Sequence, residues 1–320
     1  MYPNDHAESG TAVVSVKFSP SNWKKPLPMD SALTSIGLPV ALAIIMFGLG
    51  LSLTVGDFAR VAKAPKAVSI ALVCQLILLP AAAFGLVTLF DLDPLLAVGM
   101  MLLAASPGGT TANLFSHLFR GDVALNVTLT AVNSVIAVVT LPLITNFALG
   151  YFEPDDADGT LGLQFTKVLQ VFAVVLIPVA IGMWVRLRSS AFAERMDKPV
   201  RIGSAAVLAL VIVGTVISER ANIADYLLDI GIVAALFCVL SLSIGYVVPK
   251  IFGLEDRQAI ASSMEIGIHN STLAITIAVS LMDNVQLAVP AAVYGVVMFP
   301  LAAGFGALIT NKSQKLVEVD

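Results

Sequence analysis

The sequence predicts an all-α membrane protein with about nine transmembrane helices, and three observations lead to this fold class. Hydrophobic residues make up 58% of the 320 residues, charged residues make up 12%, and the mean hydropathy is +0.91. The charges fall in short clusters between apolar stretches of roughly 20 residues, the length that crosses a bilayer core. Two of these stretches are interrupted at mid-depth by glycine and polar residues. This pattern excludes an ordinary soluble domain and a barrel of short alternating strands.

The apolar stretches define the predicted elements in order. Helices are predicted at residues 33–54, 67–90, 94–119, 123–149, 163–186, 202–219, 227–250, 258–282 and 286–310. Residues 1–30 are polar, contain four prolines and lack the pattern of a signal peptide, so they are predicted to form a tail. Residues 31–311 form the predicted transmembrane domain, and residues 312–320 form a cytoplasmic tail.

Basic residues predict the orientation, because short cytoplasmic loops carry most lysines and arginines. Every odd-numbered span is followed by basic residues, whereas the intervening loops are mostly acidic. The basic positions are Arg60, Lys63 and Lys66, then Arg120, then Arg186, Arg188, Arg195, Lys198 and Arg201, then Lys250 and Arg257, and finally Lys312 and Lys315. The C-terminus is therefore predicted in the cytoplasm and the N-terminus outside. Lys17, Lys24 and Lys25 in the tail argue against the second assignment.

Charge and cysteine content exclude several other classes. The net charge of -4 is spread along the chain, which does not favour nucleic acid as a partner. Cys74 and Cys238 lie in apolar segments with no metal or disulfide framework around them, and no cofactor is expected. An intramembrane enzyme is disfavoured, since there is no H-E-x-x-H motif and no histidine at a recognisable spacing from a nucleophile.

The third and eighth spans are the interrupted ones. The third contains Ser-Pro-Gly-Gly-Thr-Thr-Ala-Asn at residues 106–113, where Pro107 removes a backbone donor and Gly108 and Gly109 weaken the helix. The eighth contains Glu-Ile-Gly-Ile-His-Asn-Ser-Thr at residues 265–272, with Gly267 as the predicted break. Irregular backbone at membrane depth must face protein, water or a ligand. We therefore predict that residues 67–149 and 227–310 form an inverted-repeat core whose two broken helices cross at the binding site.

Polar side chains near the breaks indicate a site for a cation and an anion. Half-helix amino ends attract anions, whereas carboxyl ends and loose carbonyls attract cations. Glu265 is the one acidic residue predicted deep within a span, and Asn126 and Thr130 share a helix face near it. Two residues keep alternative interpretations. Gln75 either faces an ion or bonds to a neighbouring helix, and His269 either relays protons or makes a neutral hydrogen bond.

Three stretches of the chain resemble the bile acid:sodium symporter (BASS) family, in its bacterial form. They are residues 45–51 with Asp57 and Phe58, residues 106–125, and residues 265–273, and the resemblance covers residues 31–311. It implies a core domain together with a panel domain formed by residues 33–54 and 163–219. It also implies a multi-pass protein of the bacterial plasma membrane. The oligomeric state stays open, with a monomer as one option.

The resemblance also implies two sodium sites. The first would use Asn113, Asn126, Thr130 and Glu265. The second would use Gln75, Glu265, His269 and the backbone carbonyls of Ile266 and Ile268. Three positions depart from the family pattern: Ala112 stands where serine is frequent, Asn126 where serine or threonine is usual, and His269 where glutamine is typical. An imidazole nitrogen is a poor ligand for a hard cation, so the second site is the less secure.

The predicted function is sodium-coupled import of an organic anion by alternating access, with Na⁺ as the coupling ion. Bile-acid-like, pantoate-like and 2-oxo acids are the anion classes that the resemblance implies. Thr110, Thr111, Asn270 and Ser271 are the predicted substrate contacts. Tyr294 and Met298 in the ninth span either line the substrate crevice or pack in the core, and core packing is the favoured interpretation. The alternatives are a proton-coupled or facilitated carrier that uses Glu265 and His269, and a membrane sensor that binds a ligand without moving it.

Overall fold

The computed structural model describes residues 59–154, 165–196 and 223–317, with single positions in 43–56 and 199–206. The predicted tail at 1–30 lies outside these residues, as do most of the spans predicted at 33–54 and 202–219. The described residues are helical and contain no strand, as the sequence predicts. The helices are α1 Pro65–Leu89, α2 Pro94–Ala105, α3 Thr110–Leu118, α4 Val123–Phe152, α5 Phe165–Arg188, α6 Ile223–Ile251, α7 Asp256–Gly267, α8 Ser271–Ser280 and α9 Val289–Val317.

Four helical stretches in the described part of the chain are long and apolar enough to cross a membrane. They are Pro65–Leu89, Val123–Phe152, Ile230–Ile251 and Gln286–Thr310. Each overlaps a predicted span and begins within four residues of its predicted start. The last helix differs at its end, since α9 continues to Val317 instead of stopping near residue 310. The segment predicted as a C-terminal tail is therefore helical over most of its length.

The interrupted helices are the pairs α2/α3 and α7/α8. In each pair a helix of 12 residues is followed, after a short irregular segment, by a helix of nine or ten residues. A 12-residue helix is only about 18 Å long, which is too short to cross a bilayer core alone. Each pair therefore needs both of its members to make one span.

The interrupted helices lie at the centre of the packing. Helix α7 packs against α3, α4 and α6, while α2 packs against α4, α8 and α9. Close approach is possible because small residues line the contacts: a Cβ on Gly245 of α6 would lie 2.8 Å from the Cα of Ser263 in α7. All residues of α7 from Ala259 to Gly267 are buried. The two interrupted pairs thus pack into one interior, where the candidate site lies.

Local sequence signals fix the ends of these helices and one internal turn. Asp93 and Asp122 cap α2 and α4 by accepting the backbone N–H groups of Leu95 and Leu125, at 2.9 and 3.0 Å. Inside α1, Cys74–Leu78 form a π-helical turn immediately before Pro80, which has no N–H to donate to the preceding turn. This widened turn contains Gln75, which is buried.

Candidate ion and substrate site

The first interruption comprises residues 106–109, between α2 and α3. The backbone becomes extended, with φ −73° and ψ 137° at Ser106 and φ −109° and ψ 176° at Gly109. Pro107 cannot donate a helical hydrogen bond, and the two glycines after it are weak helix formers. The carbonyl of Ser106 is consequently left to accept hydrogen bonds from other parts of the molecule.

The second interruption comprises residues 268–270, between α7 and α8. Gly267 was predicted to lie in this break, but it is the last residue of α7. A helical glycine costs only about 1 kcal/mol, and a Cβ at this position would collide with the side chain of Leu242 on α6. Gly267 therefore permits close packing between α6 and α7, and the irregular backbone starts at Ile268.

The two interruptions pair with each other. Gly108 and His269 form an isolated antiparallel bridge, and the N–H of Asn270 donates to the carbonyl oxygen of Pro107 at 2.8 Å. These backbone contacts satisfy polar groups that the interrupted helices leave unpaired. The crossing places the end of each first half-helix beside the start of the other pair's second half-helix.

Glu265 lies at this crossing and is completely buried. Its Oε2 accepts a hydrogen bond of 2.5 Å from the hydroxyl of Thr130, and its carboxyl group also accepts the backbone N–H of Gly108. No lysine or arginine in the described part of the chain forms an ion pair with it. The carboxyl group is thus surrounded by neutral donors at the place where the two interruptions meet.

Gly108 makes this approach possible. A Cβ at position 108 would lie 2.5 Å from the carboxyl carbon of Glu265, which is less than a van der Waals contact. At the neighbouring Gly109, a Cβ would meet no atom within 4 Å. Of the two glycines, only Gly108 is required by the packing against Glu265.

Two asparagines of α4 complete the surroundings of Glu265. The side-chain N–H groups of Asn126 and Asn133 lie 3.4 Å from Oε2 and Oε1, and Asn126 also donates to the carbonyl of Ala261 at 2.9 Å. The sequence analysis did not include Asn133. The spacing of residues 126, 130 and 133 places all three on one helical face, and this spacing is the signal that would have identified it.

Several buried side-chain oxygens near the crossing have no hydrogen-bond partner among the described residues. They are the Oδ1 atoms of Asn113, Asn126 and Asn133 and the Oε1 atom of Gln75. Amide oxygens and carboxylates are the ligands that hard cations prefer. Ala112 is also buried but offers no such atom. Orphaned oxygens next to a buried carboxyl group fit a cation better than they fit a dry core.

The residues predicted for the second cation site lie on the other side of the first interruption. Gln75 donates to the carbonyls of Ser106 and Ala104 at 3.2 and 3.4 Å, and Nδ1 of His269 lies 3.0 Å from the Ser106 carbonyl. Ile266 in the last turn of α7 and Ile268 just after it are fully buried. The structure therefore brings Gln75 and His269 to one carbonyl oxygen, and Glu265 is engaged elsewhere with α4.

The predicted substrate residues lie at the starts of the second half-helices. Thr110 is the first residue of α3, although its side chain is outside the described part, and Thr111 follows it half-buried. Asn270 uses its side chain as a helix cap, accepting the N–H of Leu273 at 3.1 Å. Ser271 is buried, and its hydroxyl has no partner among the described residues. The hydroxyl of Ser271 is therefore an unpaired side-chain group that a ligand can use.

Tyr294 and Met298 of α9, interpreted from the sequence as core residues, are buried. The hydroxyl of Tyr294 donates to the carbonyl of Gly267 at 2.8 Å, and its ring contacts those of Phe237 and His269. The Gly267 carbonyl is one of those that the second interruption frees from helical bonding. Tyr294 therefore satisfies the carboxyl end of α7, a role that the sequence analysis did not identify.

Membrane-length helices combined with two interrupted helices that cross at a buried carboxyl group define a secondary transporter. The chain belongs to the Sodium Bile acid symporter family, whose family model matches residues 39–226, more than half of the chain. This family consists of transporters, so the protein is a membrane transporter and not an enzyme. The matched residues include the first interruption and the predicted ligands Gln75, Asn113, Asn126 and Thr130.

Curated relatives agree with this assignment. The chain is 30% identical over 285 residues to the "Probable sodium/metabolite cotransporter BASS1, chloroplastic" of Arabidopsis thaliana, covering 87% of this chain and 68% of the relative. It is 29% identical over 266 residues to the "Uncharacterized sodium-dependent transporter YocS" of Bacillus subtilis, covering 81% and 78%. It is 28% identical over 248 residues to the human "Ileal sodium/bile acid cotransporter", covering 77% and 70%.

Proposed function

We propose that this protein is a sodium-coupled symporter that imports an organic anion by alternating access. The observation that carries the proposal is Glu265, a buried carboxyl group at the crossing of two interrupted helices, with orphaned amide oxygens beside it. A carboxyl group in a membrane interior costs free energy, and residues of this kind usually mark an ion or substrate pathway. Relatives named as sodium/metabolite and sodium/bile acid cotransporters support sodium as the coupling ion.

The ion is bound, in this proposal, by Glu265 together with the oxygens of Asn113, Asn126, Thr130 and Asn133. Sodium would draw these oxygens inward and would replace the weak 3.4 Å contacts that the two α4 amides make with the carboxyl group. Because these ligands come from both interrupted pairs and α4, a bound ion favours one arrangement of the crossing. Coupling follows if the anion binds more tightly to that same arrangement.

The anion is expected at the amino ends of α3 and α8, where helix dipoles and free backbone N–H groups favour negative charge. Thr110, Thr111 and Ser271 would contact it, while Asn270 holds the start of α8. The names of the relatives point to bile acids or other organic metabolites as the substrate class. Panel helices at 33–54 and 163–219 would support the moving core in the plasma membrane, with the C-terminus inside.

A thermal-shift screen tests this function directly. The purified full-length chain is unfolded in matched sodium and potassium buffers with taurocholate, pantoate or pyruvate, one from each anion class. A ligand that binds only the folded state stabilises it, and a coupled ligand does so more strongly in sodium. At least one anion should raise the melting temperature more in sodium than in potassium. Equal shifts in both buffers for all three anions would contradict sodium coupling.

The same screen distinguishes a proton-coupled carrier from a sodium-coupled symporter. If protons replaced sodium, the stabilisation by the anion would depend on pH and not on the choice between sodium and potassium. A sensor that binds without transport would show the sodium-dependent shift but no counterflow of the labelled anion in proteoliposomes.

A further inference from the structure

We propose that His269 is a positioning residue that ties the two interruptions together and closes the second cation position, so that the transporter binds one sodium ion per cycle. This inference rests on the proposed function, because it concerns the number of ions that the same crossing holds. His269 lies between the two interruptions and is only 1% exposed.

The hydrogen bond to Ser106 fixes the role of one ring nitrogen. Nδ1 of His269 lies 3.0 Å from the Ser106 carbonyl oxygen, and an oxygen of this kind only accepts hydrogen bonds. Nδ1 therefore carries a hydrogen and cannot bind a cation. Gln75 donates to the same carbonyl oxygen at 3.2 Å, so both lone pairs of the Ser106 oxygen are engaged. The first interruption is held by two side-chain donors at this point.

The surroundings of the ring hold it in this orientation. The ring of Phe237 stacks on His269 with centroids 5.5 Å apart and planes inclined by 14°, and the ring of Tyr294 packs against it edge-on at 5.4 Å. The aromatic packing fixes the plane of the imidazole, and turning Nδ1 away within that plane would break the bond to Ser106. His269 thus acts as a bridge between α6, α9 and both interruptions.

The remaining nitrogen is a poor substitute for an oxygen ligand. Nε2 of His269 is buried and has no hydrogen-bond partner among the described residues. In the neutral ring it offers a single lone pair on nitrogen, whereas sodium, as a hard cation, prefers several oxygens. Gln75 contributes one free amide oxygen, and the Gly267 carbonyl already accepts the hydroxyl of Tyr294.

Charge completes the contrast between the two positions. Both carboxyl oxygens of Glu265 face α4, with Oε2 near Thr130 and Asn126 and Oε1 near Asn133. The second position is left with the Gln75 amide oxygen, neutral carbonyl oxygens and a ring nitrogen, while the first has the carboxylate, a hydroxyl and three orphaned amide oxygens. The single charge therefore serves one ion.

Equilibrium binding of ²²Na⁺ to the detergent-purified full-length chain tests the proposal, with choline chloride holding the ionic strength constant. The wild type should bind one ion per chain along a hyperbolic curve with a Hill slope of one. In His269→Gln, the amide can still donate to the Ser106 carbonyl and adds an oxygen in place of Nε2. This variant should bind two ions per chain, whereas a purely structural role would leave the count unchanged.

His117→Gln is the matched control, since His117 is exposed in the last turn of α3 and should leave the count at one. Two ions per chain in the wild type would overturn the proposal, and so would a count that stays at one in folded His269→Gln. The wild-type count decides even if the variant does not fold. Absence of saturable sodium binding by the wild type would instead refute sodium coupling itself.

Discussion

The two sides of the helix crossing differ in what they offer a cation. On the side of α4, a buried carboxyl group meets Thr130, Asn126 and Asn133, and the amide oxygens have no partner among the described residues. On the other side, Gln75 and His269 donate hydrogen bonds to the Ser106 carbonyl, and Tyr294 donates one to the Gly267 carbonyl. The same interruption of two helices thus produces an ion-binding surface on one side and a hydrogen-bonded clasp on the other.

This difference shows how irregular backbone inside a membrane is kept stable. Freed carbonyls and N–H groups are costly in an apolar interior unless each finds a partner. The clasp side satisfies the freed carbonyls of Ser106 and Gly267 within the protein, and only Oε1 of Gln75 and Nε2 of His269 have no partner there among the described residues. The α4 side leaves oxygens unpaired, which lets a ligand complete them.

The largest effect is expected for Glu265→Gln. Removing one partner of a buried charge pair costs about 3 kcal/mol, so the sodium affinity should fall about 100-fold. The measurement is ²²Na⁺ binding to the purified protein. Glu153→Gln is the control, because Glu153 is exposed at the end of α4, and this variant should bind like the wild type. Unchanged sodium binding by Glu265→Gln would remove the charged ligand from the account.

Gly108→Ala is expected to have the next largest effect. The added methyl group would overlap the carboxyl group of Glu265, and overpacking of this kind costs about 2 kcal/mol, or roughly 30-fold in sodium affinity. Gly109→Ala makes the same chemical change one residue later, where a Cβ meets nothing within 4 Å. Sodium titrations of both variants compare them. Equal losses of sodium affinity would mean that Gly108 provides flexibility to the irregular segment between α2 and α3, and not room for Glu265.

Asn133→Leu tests the residue that the sequence analysis did not include. Leucine keeps the volume but removes Oδ1 of Asn133, the amide oxygen proposed to bind sodium. An interaction between a polar group and a charge contributes about 1.5 kcal/mol, so the sodium affinity should fall about tenfold. Thr140→Val on the same helix is the control, since Thr140 bonds only its own backbone. If both variants bind sodium like the wild type, Asn133 has no part in the site.

The smallest effect on sodium is expected on the clasp side, for Tyr294→Phe. This change removes the hydrogen bond to Gly267, which contributes about 1 kcal/mol to stability. The melting temperature should fall by a few degrees, while the sodium affinity should change less than about threefold. Tyr151→Phe at an exposed aromatic cluster is the control for stability. A sodium affinity that falls as far as in Glu265→Gln would contradict the division between the two sides.

Much of the fold follows from the sequence because the bilayer imposes it. Apolar length alone located the long helices to within a few residues at their starts, and proline and glycine located the first interruption. The predicted end of the last helix, residue 310, was wrong by seven residues, since the helix continues beyond the apolar stretch to Val317. Gly267 was assigned to the break because glycine is a weak helix former, yet close packing against Leu242 keeps it helical.

The site was harder to predict than the helices. Glu265, Asn126 and Thr130 were identified from their depth and spacing, and the structure brings these three together. The bonds of Gln75 and His269 to the Ser106 carbonyl depend on contacts between distant segments. His269 and Ser106 are 163 residues apart in the sequence. No local pattern encodes that contact, so ligand and clasp residues look alike in the sequence. Only the direction of each side chain separates them.

Sodium flux into proteoliposomes shows whether an organic anion and sodium move together through Glu265. Entry of ²²Na⁺ is measured with taurocholate, pantoate or pyruvate outside, for the wild type and for Glu265→Gln. Coupling at Glu265 predicts that at least one of these anions accelerates sodium entry through the wild type and that none does so through the variant. Sodium entry that is the same with and without each anion, in a protein that binds sodium, would contradict the account.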